Sequence, residues 1–212
     1  MSGKRVWIAV LCVVTMAGAL AAQDEKNDLG GSIGRTFIST QAITQCAAPC
    51  FDPYIRYGKG LTIEGSYARR LMVTPIFGVS AELPVLFNPS EDLHAGGQSL
   101  VPKDYKALFI TPSVRVNLFP TTAVSLWGSL GAGFGHISQS KFTLYGYNNT
   151  GSSTTSGVLQ YGLGLDVKLT KSVALRAEGR DFWAGEPDFP QAPTGKTRQH
   201  NYFLGIGAIW RF

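Results

Sequence analysis

The sequence has 212 residues, of which 44% are hydrophobic and 16% charged, with a formal net charge of +5 at neutral pH. That length suits one β domain and leaves no room for a second. The charges are scattered rather than clustered, which excludes a nucleic-acid footprint and with it a nucleic-acid partner.

Residues 1–21 place Lys4 and Arg5 ahead of an apolar run from Val6 to about Ala17 and end on Ala19-Leu20-Ala21. This is the composition of a cleaved secretory signal peptide. The run falls short of the roughly 20 residues a spanning helix needs, and bulky Leu11 before Cys12 argues against a lipid anchor there. Cleavage after Ala21 leaves a single domain, residues 22–212, whose net charge falls to +3 because Lys4 and Arg5 leave with the peptide. Cys46 and Cys50 lie close together in TQCAAPCFDP. In an oxidising compartment a short-loop disulfide is their expected state. A metal site is the alternative, although no histidine or carboxylate cluster accompanies them.

From residue 28 onward eight segments alternate with period two, the signature of strands with one apolar face. The first sets Leu29, Ile33 and Phe37 against Gly30, Ser32, Gly34 and Thr36, and the second sets Leu61, Ile63 and Tyr67 against Thr62, Glu64 and Ser66. The third opposes Phe77, Val79, Ala81, Leu83 and Val85 to Gly78, Ser80 and Glu82. In the fourth, Leu108, Ile110, Val114, Val116 and Leu118 face away from Thr111, Ser113, Arg115 and Asn117. The fifth has Leu126, Leu130, Ala132 and Phe134 against Ser125, Ser129 and three glycines. The sixth has Leu159, Tyr161, Leu163, Leu165 and Val167 against Gln160, Asp166 and Lys168. The seventh opposes Val173, Leu175, Ala177 and Gly179 to Arg176, Glu178 and Arg180. The last is NYFLGIGAIWRF at the C-terminus. Each is about ten residues long, enough for a tilted strand to cross a bilayer.

The connections differ in kind. After even segments come short turns around Arg69–Thr74, Pro120–Thr122 and Thr170–Ser172. After odd segments come long polar loops, over residues 39–58, 87–105, 138–157 and 184–200. A membrane barrel with short turns on one side and long loops on the other has this asymmetry. The polar face is too poor in charge to be a water-exposed surface. Its Glu64, Glu82, Asp166 and Glu178 against Arg115, Lys168, Arg176, Arg180 and Arg211, set among glycine and serine, suit a narrow interior where charges must pair. The apolar face is then the exterior, with Phe37, Tyr67, Phe77, Tyr161, Tyr202, Trp210 and Phe212 near segment ends as a headgroup girdle.

Tyr202, Leu204, Ile206, Ala208, Trp210 and Phe212, alternating to a terminal aromatic, resemble the C-terminal signal by which the outer-membrane assembly machinery recognises its clients. With the signal peptide and eight segments, the chain resembles the small eight-stranded barrels of the outer membrane protein A and opacity-antigen type. The resemblance spans residues 22–212 through patterns rather than fixed residues. It implies an all-β, eight-stranded antiparallel transmembrane barrel in the bacterial outer membrane, both termini periplasmic, surrounded by lipid and handled by the barrel assembly machinery. Within residues 22–212 no counterpart of the peptidoglycan-binding domain of outer membrane protein A is expected.

The expected role is structural or surface-interacting, with an extracellular partner met through the loops and no cofactor or metal. A channel of small conductance is the alternative, and a soluble secreted barrel a further one. Some barrels of this size hydrolyse or transfer lipid acyl chains. The nearest candidate here is His136 with Ser138, two apart on the outward face, but Gln139 follows where the lipid A deacylase pattern has Asn, and no acid is placed nearby. His94 and His200 fall in loops or at a strand edge and are expected to be solvated.

Overall fold

A computed structural model describes residues 26–44, 52–95, 103–141, 153–187 and 194–212. The expected signal peptide at residues 1–21 and both Cys46 and Cys50 lie outside the described residues. Among the described residues there is no helix. The strands are β1 (Asn27–Ile38), β2 (Gln41–Ala42), β3 (Tyr54–Tyr57), β4 (Leu61–Val73), β5 (Phe77–Ala95), β6 (Asp104–Ile110), β7 (Ser113–Leu118), β8 (Val124–Gln139), β9 (Ser153–Lys168), β10 (Val173–Gly185) and β11 (Arg198–Arg211).

Every pairing is antiparallel, and the ring closes. β1 pairs with β4 and β11, β4 with β5, β5 with both β6 and β7, and those two with β8; β9 and β10 then lead to β11. β6 and β7 are two halves of one barrel strand, so the barrel has eight staves. The fourth segment reads as continuous in sequence, but Pro112 has no N–H to give to the ladder. The inward and outward alternation continues across the break, since Phe109, Thr111 and Ser113 all face in. Closure is completed at the chain end, where Asn27 N and Phe212 N each donate to the other residue's carbonyl at 2.9 Å. Both ends therefore sit at the short-turn rim.

The apolar faces point outward. Leu163 is 73% exposed, Ile206 68% and Leu130 67%, an arrangement that only a surrounding apolar solvent makes favourable. Strand limits differ from the sequence expectation in two ways. The first turn is shorter, because β4 continues to Val73 with a bulge at Leu71 and the turn is confined to residues 74–76. The long loops are also shorter, because polar residues remain paired beyond the apolar belt: β5 runs to Ala95, β9 starts at Ser153 and β11 at Arg198. A polar strand satisfies its backbone in water as well as an apolar one does in lipid, so polarity alone does not mark a loop. The first loop contributes the β2–β3 hairpin, whose β3 adds to the upper edge of β5.

The upper half of the interior holds an apolar cluster beside a few buried polar residues, Gln41, Asn88, Glu91, Gln199 and Asn201, that hydrogen-bond one another. Phe109, Phe182 and Phe203 are almost wholly buried there with Leu86, Ile137 and Val158, and the rings of Phe109 and Phe182 stack at 5.3 Å. Ile43 and Ile55, from the first long connection, close the cluster from above. Truncating a wholly buried aromatic leaves a cavity that a barrel wall cannot collapse to fill. Phe182→Ala is expected to cost about 3–5 kcal/mol of stability, read as a lower urea midpoint of the detergent-folded protein, whereas Leu163→Ala on the outer wall is expected to shift it far less.

Candidate functional site

Below the apolar layer, the inward positions of β1, β4, β5, β7, β9, β10 and β11 converge on the barrel axis. Glu82 on β5 is the hub. Its carboxylate accepts from Arg115 on β7 at 3.1 Å and from Arg180 on β10 at 3.1 and 3.2 Å, and Arg176 lies at 3.5 Å. Asp166 on β9 accepts a two-pronged contact from Arg176, at 2.9 and 3.0 Å, and a third bond from the Trp127 indole at 3.1 Å. The Trp127 ring also lies under both guanidinium groups, 4.7 Å from Arg176 and 4.8 Å from Arg180, where its negative face adds attraction. Glu178 bonds Arg180 at 3.1 Å. Glu64 comes within 3.1 Å of Arg180 but off the hydrogen-bond line, which leaves both its oxygens without a hydrogen-bond donor.

Toward the turn rim Asp28 bridges Arg115 at 2.7 Å and Arg70 at 2.8 Å, with Arg211 at 3.9 Å. Five acids, Asp28, Glu64, Glu82, Asp166 and Glu178, thus face five arginines, Arg70, Arg115, Arg176, Arg180 and Arg211. The cluster is formally neutral, as burial of so many charges requires.

The structure therefore brings together eight of the residues singled out in sequence: Glu64, Glu82, Arg115, Asp166, Arg176, Glu178, Arg180 and Arg211. Lys168 stands apart at the turn rim, where its ammonium group donates to the Pro120 carbonyl at 2.7 Å. Three participants were not found in the sequence. Asp28 has the parity of Gly30 and Ser32 and would have emerged by extending that face one step. Arg70 was hidden because the second strand was ended too soon. Trp127 has the parity of Ser125 and Ser129, but an aromatic was not expected on a polar face.

On the outside, Tyr202, Leu204, Ile206, Ala208, Trp210 and Phe212 line the outward face of β11 and the chain end, with the last two rings 4.9 Å apart. His136 and Ser138 are exposed on β8, and His136 Nδ1 contacts Thr155 Oγ1 at 2.8 Å rather than a carboxylate. His94 lies on the outward side of β5, opposite Arg56. His200 keeps its side chain 43% exposed, as expected, but is also engaged on the wall. It pairs with Asp181 at 2.6 Å and stacks with Trp183 and Tyr202, at 6.0 and 5.5 Å, while Tyr161 also donates to Asp181. Facing chemistry on neighbouring strands produces this cluster, and no spacing along one strand reveals it. Beyond the spanning segments, burial raises the Glu186 carboxyl above its ordinary range, and a hydrogen bond from Arg56 holds that of Asp52 below it. Among the described residues no group of three or more His, Cys, Asp or Glu could hold a metal ion.

Comparison with known proteins gives a consistent result. The family model of the outer membrane protein beta-barrel domain matches residues 8–212. Among solved structures, Neisserial surface protein A superposes with a TM-score of 0.56 at 14% identity, covering 88% of this chain and 97% of that one. The outer membrane protein OprG from Pseudomonas aeruginosa gives 0.51 at 13%, with 89% and 97% covered. The N-terminal β-barrel domain of Pseudomonas aeruginosa OprF gives 0.50 at 12%, with 90% and 100% covered. No curated protein matches.

The hub geometry has a direct consequence for stability. Replacing Glu82 by Gln leaves three guanidinium groups facing an uncharged amide in a space closed to bulk water. A loss of about 3–5 kcal/mol is expected, measured by urea unfolding in detergent, with Lys168→Gln at the rim as the near-neutral control.

Proposed function

We propose that this chain, which belongs to the outer membrane protein beta-barrel domain family, serves as a closed scaffold that presents its long connections at the cell surface. As an outer-membrane barrel it is surrounded by lipid. The observation that carries the reading is the interior, which is filled along its axis by the ion-paired layer and, above it, by the apolar layer of Phe109, Phe182 and Phe203. A solute would have to break the contacts of Glu82 and displace three packed aromatic rings. What the molecule offers to partners is therefore its outer wall and its long-connection rim, with the chain ends at the periplasmic side. The outward row on β11 ending in Phe212 is read in this proposal as the segment that the barrel assembly machinery engages.

A small-conductance channel is the rival reading, favoured only by the polar lower half of the interior. A catalytic reading has less support, since His136 has Thr155 and no carboxylate as its hydrogen-bond partner among the described residues. Planar-bilayer recording is expected to show no steady conductance. Stable currents altered by Arg115→Ala or Glu178→Ala would establish the channel instead. Replacing residues 142–152 with a short turn is expected to leave a heat-modifiable barrel while abolishing a surface phenotype such as adhesion or envelope integrity; an unchanged phenotype after shortening all four connections would overturn the scaffold reading.

A further inference from the structure

The outer wall is not uniform. On β10 the outward positions Ala177 and Gly179 are small, while Leu163 on β9 and Leu204 and Ile206 on β11 stand up on either side. The result is an open trough of about 710 Å³ in a surface that faces lipid. Its volume and apolar floor suit the end of a hydrocarbon chain.

One edge of the trough toward the long-connection rim is cationic. Arg35 shares the outward face of β1 with Ile33 and Phe37 and lines the trough with them. In register it lies opposite Leu204 on one side and Leu61 on the other, one step below the Phe37–Tyr202 pair. Lys59 sits above, its ammonium nitrogen 5.7 Å from the Phe37 ring centre. Among the described residues, neither Arg35 nor Lys59 forms a salt bridge. Asp181, near Tyr202, is buried and already engaged by Tyr161 and His200. A guanidinium on a lipid-facing wall is costly unless it reaches water or an anion. At headgroup depth the anion that a membrane supplies is a phosphate.

We infer that the trough and its cationic edge hold one phosphate-bearing, acylated lipid of the outer leaflet, with a chain along Ala177 and Gly179 and its phosphate between Arg35 and Lys59. The leaflet assignment rests on the proposed outward placement of the long connections. Arg35 makes a forked, charge-assisted contact to phosphate oxygens, Lys59 adds a point charge, and the trough selects for a chain.

The test is native mass spectrometry of the detergent-folded protein, titrated with bisphosphorylated lipid A and, separately, with its dephosphorylated form. One bound lipid A is expected, with the dephosphorylated form held about tenfold more weakly. Arg35→Gln combined with Lys59→Gln is expected to erase that preference, and Arg35→Lys to restore part of it. Ala177→Leu, which fills the trough without touching the cations, is expected to weaken both lipids equally. Each variant is first checked for heat-modifiable migration, and Ala177→Leu carries the test if the charge variants do not fold. Equal binding of the two lipids to the wild type, or undiminished binding to the variants, overturns the site. Micelle binding is independent of orientation in the cell, so that failure leaves the scaffold reading intact. Protease resistance of all four long connections on intact cells would overturn the outward orientation without touching the lipid result.

Discussion

Everything in this molecule follows from the absence of water in the hydrocarbon layer. A strand exposed there must give each N–H and C=O a protein partner, so a sheet with an edge cannot exist and a ring must close. The pairing of β1 with β11 is where that demand is met, from Ile38 opposite Asn201 down to Asp28 opposite Arg211, with Asn27 and Phe212 exchanging the final pair of bonds. This is why the C-terminal strand keeps its alternation to the last residue.

Closure creates the second problem, because eight strands enclose a space too narrow for bulk water and too wide to leave empty. The chain fills it in two ways. Near the turn rim it uses long charged side chains that span the lumen, and Glu82 can hold three arginines because they reach it from β7 and β10. Near the other rim it uses aromatic rings. Net attraction between buried charges is largely offset by their desolvation, so the ionic layer adds less stability than its many contacts suggest, while the ring layer supplies the cavity-filling term.

Period two gave the eight staves and separated their two faces, since a one-residue slip would reverse every side chain. The length and polarity of the connections gave the two rims, and the scarcity of charge on the polar face gave the outward orientation of the apolar one. The split of the fourth stave at Thr111-Pro112 was missed because alternation runs through it unbroken. The ionic partners were beyond the sequence for a different reason: Arg180 meets Glu82 across 98 positions, and the choice among acids depends on the stagger between staves, which periodicity does not encode. Arg70 and Asp28 were lost at segment ends, where composition turns polar before pairing stops.

The interior aromatics were missed through an assumption about glycine. The inward glycines and serines suggested a narrow interior of small residues and paired charges, whereas several of the glycines are vacated spaces for a neighbour's ring. A Cβ on Gly164 would lie 2.3 Å from the Trp127 ring, one on Gly205 2.4 Å from Phe203, and one on Gly135 2.6 Å from Phe109. Large and small inward residues are thus paired across adjacent staves or along one, as packing at interior density demands. Phe203, Phe182 and Trp127 each interrupt a polar inward row, and in a soluble strand such an interruption would read as noise. In a closed barrel it is the side chain that fills the space its glycine neighbours leave, so a glycine-rich inward face with isolated aromatics points to an occluded lumen rather than an open one.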